Sequence, residues 1–149
     1  MDFEATPEEE LWFGLLAVRE QLVTALDARL RSEQDLPLSA FAVLVALSKH
    51  PGPMAVSTLA PLVGLVSRSQ VSRLVDSLAA RGLVERARGG PDARVHAVSA
   101  TEAGLAAVTA GRRHADAVVR EVVVDRLPDS DVRALRRAFA RLTGYDTPR

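Results

Sequence analysis

The chain contains no cysteine, a single lysine, one tryptophan and one tyrosine among 149 residues. Without cysteine there is no disulfide framework, no thiolate nucleophile, no iron–sulfur cluster and no thiol-based peroxide sensor. Long apolar runs are also missing. The longest, residues 41–47, is far too short to cross a bilayer, and the N-terminal MDFEATPEEE is acidic where a secretory signal would be basic. These features predict a soluble, cytoplasmic protein. The three histidines, His50, His96 and His114, fall in separate elements without metal-ligand or triad spacing, and no glycine-rich phosphate loop follows a strand. No enzyme, metal site or cofactor is therefore expected.

What is present is apolar content and an uneven distribution of charge. A 48% hydrophobic chain of this length is long enough for one domain and short for two. Its formal net charge of zero hides an acidic beginning and a basic middle. Residues 1–35 hold nine acidic and three basic side chains, whereas residues 67–94 hold six arginines and three acids. A basic segment on one face of a neutral protein points to a polyanion as partner, although a surface helix of this charge also occurs in proteins that bind nothing charged.

Helix signals divide the chain. Thr6-Pro7-Glu8-Glu9 combines an N-cap, proline at the first helical position and a glutamate three residues after the cap. Leu11, Leu15, Val18, Leu22 and Leu26 then form a stripe on a helix of roughly 24 residues that ends before Leu36-Pro37. The glutamates at 8–10 are read as charges that offset the helix dipole, not as catalytic carboxylates. Residues 39–49 suit a buried helix stopped by His50-Pro51-Gly52-Pro53. A short helix over about 57–63 and a turn at 64–66 lead to Ser67, which can cap a helix running to Arg81 and ending at Gly82. Segments 83–88 and 94–98 are compatible with strands around the turn Gly89-Gly90-Pro91-Asp92. Two more helices, over about 100–126 and 129–143, are separated by Leu127-Pro128.

In the helix that starts at Ser67, Val71, Leu74, Val75 and Leu78 form one buried stripe. The opposite face then presents Ser69, Ser72, Arg73 and Asp76, flanked by Arg68, Gln70 and Ser77. Small polar side chains on a slim helix suit the major groove of B-DNA. Short helix, turn and amphipathic helix make a helix-turn-helix pattern, and the basic hairpin carrying Arg86, Arg88 and Arg94 makes it a winged one. The fold class expected is mainly α with a small β-hairpin wing.

These residues resemble the MarR-type winged helix-turn-helix regulators. SRSQVSRLVDSLAARGLVER is similar to that family's recognition helix and first wing strand, Asp92-Ala93-Arg94 to its wing-tip Asp-x-Arg, and Thr101-Glu102-Ala103-Gly104 to the start of its next long helix. The similarity covers about residues 8–143. It differs at Ala100, where the family usually has leucine, and in one extra residue between Ala60 and Val71, which places a bulge at 64–66. The resemblance implies a single domain, 1–149, in which residues 38–98 bind DNA and residues 6–35 and 100–145 form a helical dimerisation part. It implies a homodimer on a pseudo-palindromic double-stranded operator, acting as a transcriptional repressor. Ser67, Arg68, Ser69, Gln70 and Arg73 fall on the family's recognition-helix contacts, with Ser72 on the same face. Arg94 falls on its wing arginine, beside Arg86 and Arg88, and Asp92 would orient the wing.

A small aromatic or anionic effector is also implied, in a cleft to which Trp12, Arg19 and Phe41 are the candidate contributors. Core packing is the competing role for the two aromatics, and a solvated one for Arg19. The rival function is a winged-helix module that binds another protein without recognising DNA. Such a module would tend to carry neutral residues in place of Arg73 and Arg94 and an apolar recognition face, and neither is seen.

Overall fold

The structure is a computed structural model that describes residues 5–64, 66–87 and 97–144. In chain order it runs α1 (Pro7–Gln34), α2 (Leu38–Ser48), β1 (Met54–Ala55), α3 (Val56–Val63), α4 (Arg68–Ala80), β2 (Val84–Ala87), β3 (Ala97–Ala100), α5 (Glu102–Val122) and α6 (Asp129–Thr143). The described elements are mainly helical, with one small antiparallel sheet, as expected.

The first helix begins where its capping residues place it. The Thr6 hydroxyl accepts the Glu9 N–H at 3.2 Å, and the Glu9 carboxylate accepts the Thr6 N–H at 2.9 Å. It runs 28 residues, longer than the stripe alone predicted. Asp35 turns left-handed at φ 51°, and the Leu36 N–H donates back to the Leu30 carbonyl at 3.2 Å. Leu36, buried beside Leu30, completes this helix stop with an apolar contact, and Pro37 prevents the helix from resuming.

The next helix needs help from outside itself. Pro37 stands at the N-cap of α2 and offers no side-chain acceptor. Asp27 of α1 supplies it: one carboxylate oxygen accepts the Leu38 N–H at 2.8 Å and the other accepts Arg31 Nε at 2.7 Å. The backbone hydrogen bond from Leu38 is the larger cause, with Arg31 second, of an Asp27 pKa held below its ordinary 3.8 against the opposing effect of partial burial.

The chain forms two compact units, Leu26–His114 and Met1–Ala25 with Ala115–Arg149. The division runs through α1 and α5. The reason is that α1 carries Leu26 and Leu30, and α5 carries Ala107 and Val108, into the apolar core of the first unit. That core also takes Val43 and Leu44 from α2, Leu59 from α3 and Val71, Val75 and Leu78 from α4.

The sheet order is β1-β3-β2, all antiparallel, with Met54 opposite Val98 and Arg86 opposite Val98 on the other edge. Two residues are too short for periodicity to reveal, so β1 was not anticipated. The second wing strand is described over Ala97–Ala100, two residues past the end expected at 98, and residues 88–96, with the expected start at 94, lie outside the described residues. The long fifth helix also ends earlier than 126. After Val122 the backbone leaves α geometry at Val123 and makes a single 3-10 turn over Val124–Arg126. Three consecutive β-branched valines resist the helix, and Pro128 forces Leu127 extended.

Because the folded Asp27 pKa is depressed, its contribution to stability is present above the unfolded value and is lost as pH falls through the folded one. Asp27→Ala is expected to cost about 1–2 kcal/mol near neutral pH, the range for losing a helix cap. Urea unfolding as a function of pH should show that difference shrinking below about pH 4.

Candidate nucleic-acid interface

The recognition-type helix α4 is fixed first at its start. Ser67 accepts the Gln70 N–H at 3.4 Å while the Gln70 side-chain oxygen accepts the Ser67 N–H at 2.8 Å, a reciprocal cap. The Ser67 and Ser69 hydroxyls lie 3.1 Å apart. Before this cap, Gly64 closes α3 at φ 64° with its N–H on the Ala60 carbonyl. The bulge expected at 64–66 includes Leu65, which lies outside the described residues.

The buried stripe orients the rest. Val71, Val75 and Leu78 are fully enclosed and Leu74 is partly so. Ser67, Arg68, Ser69, Gln70, Ser72 and Arg73 are all exposed on the remaining faces. Neither Arg68 nor Arg73 has a carboxylate partner among the described residues, which leaves both guanidinium groups available.

Two other arginines of the basic segment are occupied, and the sequence did not reveal it. Arg81 reaches from the end of α4 to the end of α1, donating to the Asp35 carbonyl at 2.6 Å and the Gln34 carbonyl at 3.1 Å. It satisfies helix-terminal acceptors, which commits its guanidinium although the residue stays exposed. Arg86, on β2, donates through Nη2 to an Asp76 carboxylate oxygen on α4. Arg88, Asp92 and Arg94, the remaining wing candidates, lie outside the described residues.

The end of α4 is held as firmly as its start. Gly82 adopts φ 70°, and the Leu83 N–H returns to the Leu78 carbonyl at 2.9 Å. Thr101 then binds this turn to α5: its hydroxyl donates to the Gly82 carbonyl at 2.7 Å and accepts the Gly104 N–H at 3.1 Å. A Cβ on Gly104 would fall 2.1 Å from the Leu83 carbonyl oxygen, so the Thr-Glu-Ala-Gly sequence is a packing requirement at this joint.

The three effector candidates have different surroundings. Trp12 and Arg19 are exposed on the part of α1 that belongs to the smaller-cored unit, Trp12 at 62%. Phe41 belongs to the other unit and is only 6% exposed, its ring pressed on Gly111, where a Cβ would come within 2.2 Å. The unit that holds Trp12 contains an apolar cavity of about 780 Å³, whose wall includes Leu11, Leu15, Val119, Leu135 and Phe139 but none of the three candidates. Among the described residues, no group of three acidic, histidine or cysteine side chains is placed to hold a metal, and no helix is long and apolar enough to cross a membrane.

Comparison with known proteins agrees with this geometry. Residues 34–95 match the family model described as MarR family. Among solved structures, AbsC, a MarR family transcriptional regulator from Streptomyces coelicolor, is 27% identical, with 96% of this chain and 97% of that one covered and a TM-score of 0.73. A second MarR family regulator from the same organism, crystallised in complex with DNA, shares the fold at 24% identity, 95% and 89% coverage and TM-score 0.74. CouR from Rhodococcus jostii RHA1, bound to p-coumaroyl-CoA, shares it at 23% identity, 98% and 100% coverage and TM-score 0.73. No curated protein matches the sequence.

The cap geometry separates two serines that look alike in sequence. Ser67→Ala should lower unfolding free energy by about 1 kcal/mol through loss of the N-cap. Ser72→Ala, on the open face, should stay within about 0.5 kcal/mol of the parent in the same urea titration.

Proposed function

We propose that the chain, whose residues 34–95 match the MarR family model, is a DNA-binding transcriptional regulator of that family and acts as a homodimeric repressor on a pseudo-palindromic operator. MarR family regulators are transcription factors and not enzymes, and the same holds for this one. The observation that carries the reading is the exposed face of α4, where Ser69, Ser72 and an uncommitted Arg73 stand opposite a fully buried stripe. In this reading Arg68, Ser69, Gln70, Ser72 and Arg73 enter the major groove while Ser67 starts the helix. Arg88 and Arg94 hold the flanking phosphates or narrow groove, oriented by Asp92.

Dimerisation is supported by apolar surface that one chain leaves uncovered. Leu11, Trp12, Phe13 and Leu15 on α1 and Leu142 on α6 are all more than half exposed. Such a concentration of apolar side chains marks an association surface. Sedimentation at micromolar concentration is expected to return about twice the chain mass of 16.0 kDa, and a compact monomer would remove the dimer from the reading.

Release by a small aromatic or anionic ligand is the finer part of the proposal. It is supported by the p-coumaroyl-CoA complex of CouR and by Trp12 and Arg19 lying open on α1. A ligand would act by favouring an arrangement of the two winged units that no longer matches grooves one helical turn apart.

Selection from a random DNA library is expected to yield a palindrome with half-sites about 10 base pairs apart. On it, Arg73→Ala should cost about 1–3 kcal/mol and flatten preference at one symmetric pair of positions. Arg94→Ala should weaken operator and nonspecific DNA more nearly alike and reduce the slope of log affinity against log salt by about one unit per half-site. The same assay run with aromatic carboxylates and their thioesters tests the release step, which fails if none changes operator affinity. Selection that returns no preferred sequence would overturn the regulator reading.

A further inference from the structure

Asp76 is an unexpected residue on a surface that meets DNA. It shares the exposed face of α4 with Ser69, Ser72 and Arg73, and its side chain is 63% exposed. Arg73 and Asp76 are three residues apart, a spacing at which opposite charges on a helix pair readily. They do not pair here. The Asp76 carboxylate accepts from Arg86 instead, and Arg73 is left without a carboxylate partner among the described residues.

The backbone around Arg86 explains why it can hold this position. Arg86 lies in β2 opposite Val98 of the central strand, and buried Val84 and Val98 anchor both strands in the core. The guanidinium therefore reaches Asp76 from a fixed strand, while Arg73 sits on the same helix as Asp76 and would compete for it through a flexible side chain. An arginine bound to a carboxylate adds no net charge to the surface, so its value lies in what it keeps the carboxylate from doing.

We infer that Arg86 serves DNA recognition through Asp76, as a positioning residue: by engaging the Asp76 carboxylate it keeps Arg73 free to read a base. This role rests on the DNA-binding reading above. Without Arg86, the carboxylate faces the phosphates uncompensated and takes Arg73 as its partner, so affinity and base preference fall together.

The experiment compares Arg86→Ala, Asp76→Asn, the double variant and a charge-matched control, Glu85→Gln with Arg86→Ala, on the selected operator and on nonspecific DNA. Arg86→Ala is expected to weaken operator binding about tenfold and to flatten preference at the same symmetric positions that Arg73→Ala flattens. Asp76→Asn alone should bind at least as tightly as the parent with preference intact. Adding it to Arg86→Ala should restore both affinity and preference, while Glu85→Gln, which changes net charge equally, should restore neither. Arg86→Gln and thermal melts of every variant separate these effects from loss of folding.

Three results would overturn the inference. Uniform weakening by Arg86→Ala, with preference kept and no rescue by Asp76→Asn, would mean that Arg86 touches phosphate directly. A changed base preference in Asp76→Asn alone would mean that Asp76 itself reads a base. Equal rescue by Glu85→Gln would reduce the effect to net charge. A parent protein that selects no DNA sequence would instead remove the functional reading, and with it this role, before any variant is compared.

Discussion

Three helix ends meet at residues 81–83, and the orientation of the recognition-type helix depends on that joint. The left-handed Gly82 ends α4 and turns Leu83 into the wing strand. The Leu83 carbonyl accepts the Thr101 N–H at 3.1 Å and lies so close to Gly104 that no side chain fits there. Arg81, one residue before the turn, closes the last carbonyls of α1. Each of these contacts satisfies a backbone group that a helix terminus would otherwise leave open, so the joint fixes direction as well as end point. Its consequence is functional: α4 is held at its N-terminus by the Ser67–Gln70 cap and at its C-terminus by two other helices, which leaves its exposed face as the free surface.

Charge on that face is allocated more sparingly than its composition suggests. The basic segment reads as six arginines against three acids, yet Arg81 is committed to carbonyls and Arg86 to Asp76. Among the described arginines of the segment, Arg68 and Arg73 remain to act outward. A neutral protein can thus present a local positive field while spending part of its arginine on architecture, where the planar fork binds two acceptors at once.

The helices, the helix-turn-helix and the apolar stripe of α4 were legible because each has a periodic or capping signature a few residues long. Thr6 with Glu9, Ser67 as an N-cap, and Val71, Val75 and Leu78 act in the structure as their spacing suggested, while the reciprocal bond from Gln70 to the cap is known only from the structure. What stayed hidden depends on partners distant in sequence. Asp27 caps a helix eleven residues on, Arg81 bonds to carbonyls more than forty residues earlier, and the two-residue strand β1 exists through its pairing with β3. Phe41 illustrates the limit for a candidate site. Its aromatic ring was consistent with either a ligand cleft or a core, and the side-chain-free surface of Gly111 on α5, seventy positions later, is what seats it in the core.

The distribution of buried residues between the two units places a constraint on the dimer. Among the described residues, all the fully buried apolar side chains but Val118 lie in Leu26–His114. The other unit has helices rich in leucine, valine and phenylalanine but almost no interior of its own among the described residues. Its largest apolar side chains stay open, and its cavity of about 780 Å³ is lined mainly by them. A protein interior is packed with few voids, and at about 25 cal/mol per Å² exposed apolar area represents stabilisation not yet realised. In the proposed dimer, that unit acquires its core only from a second copy. Dimerisation would then be part of folding for this half of the chain, and the two DNA-binding helices would be tied together by the same apolar surface that completes it.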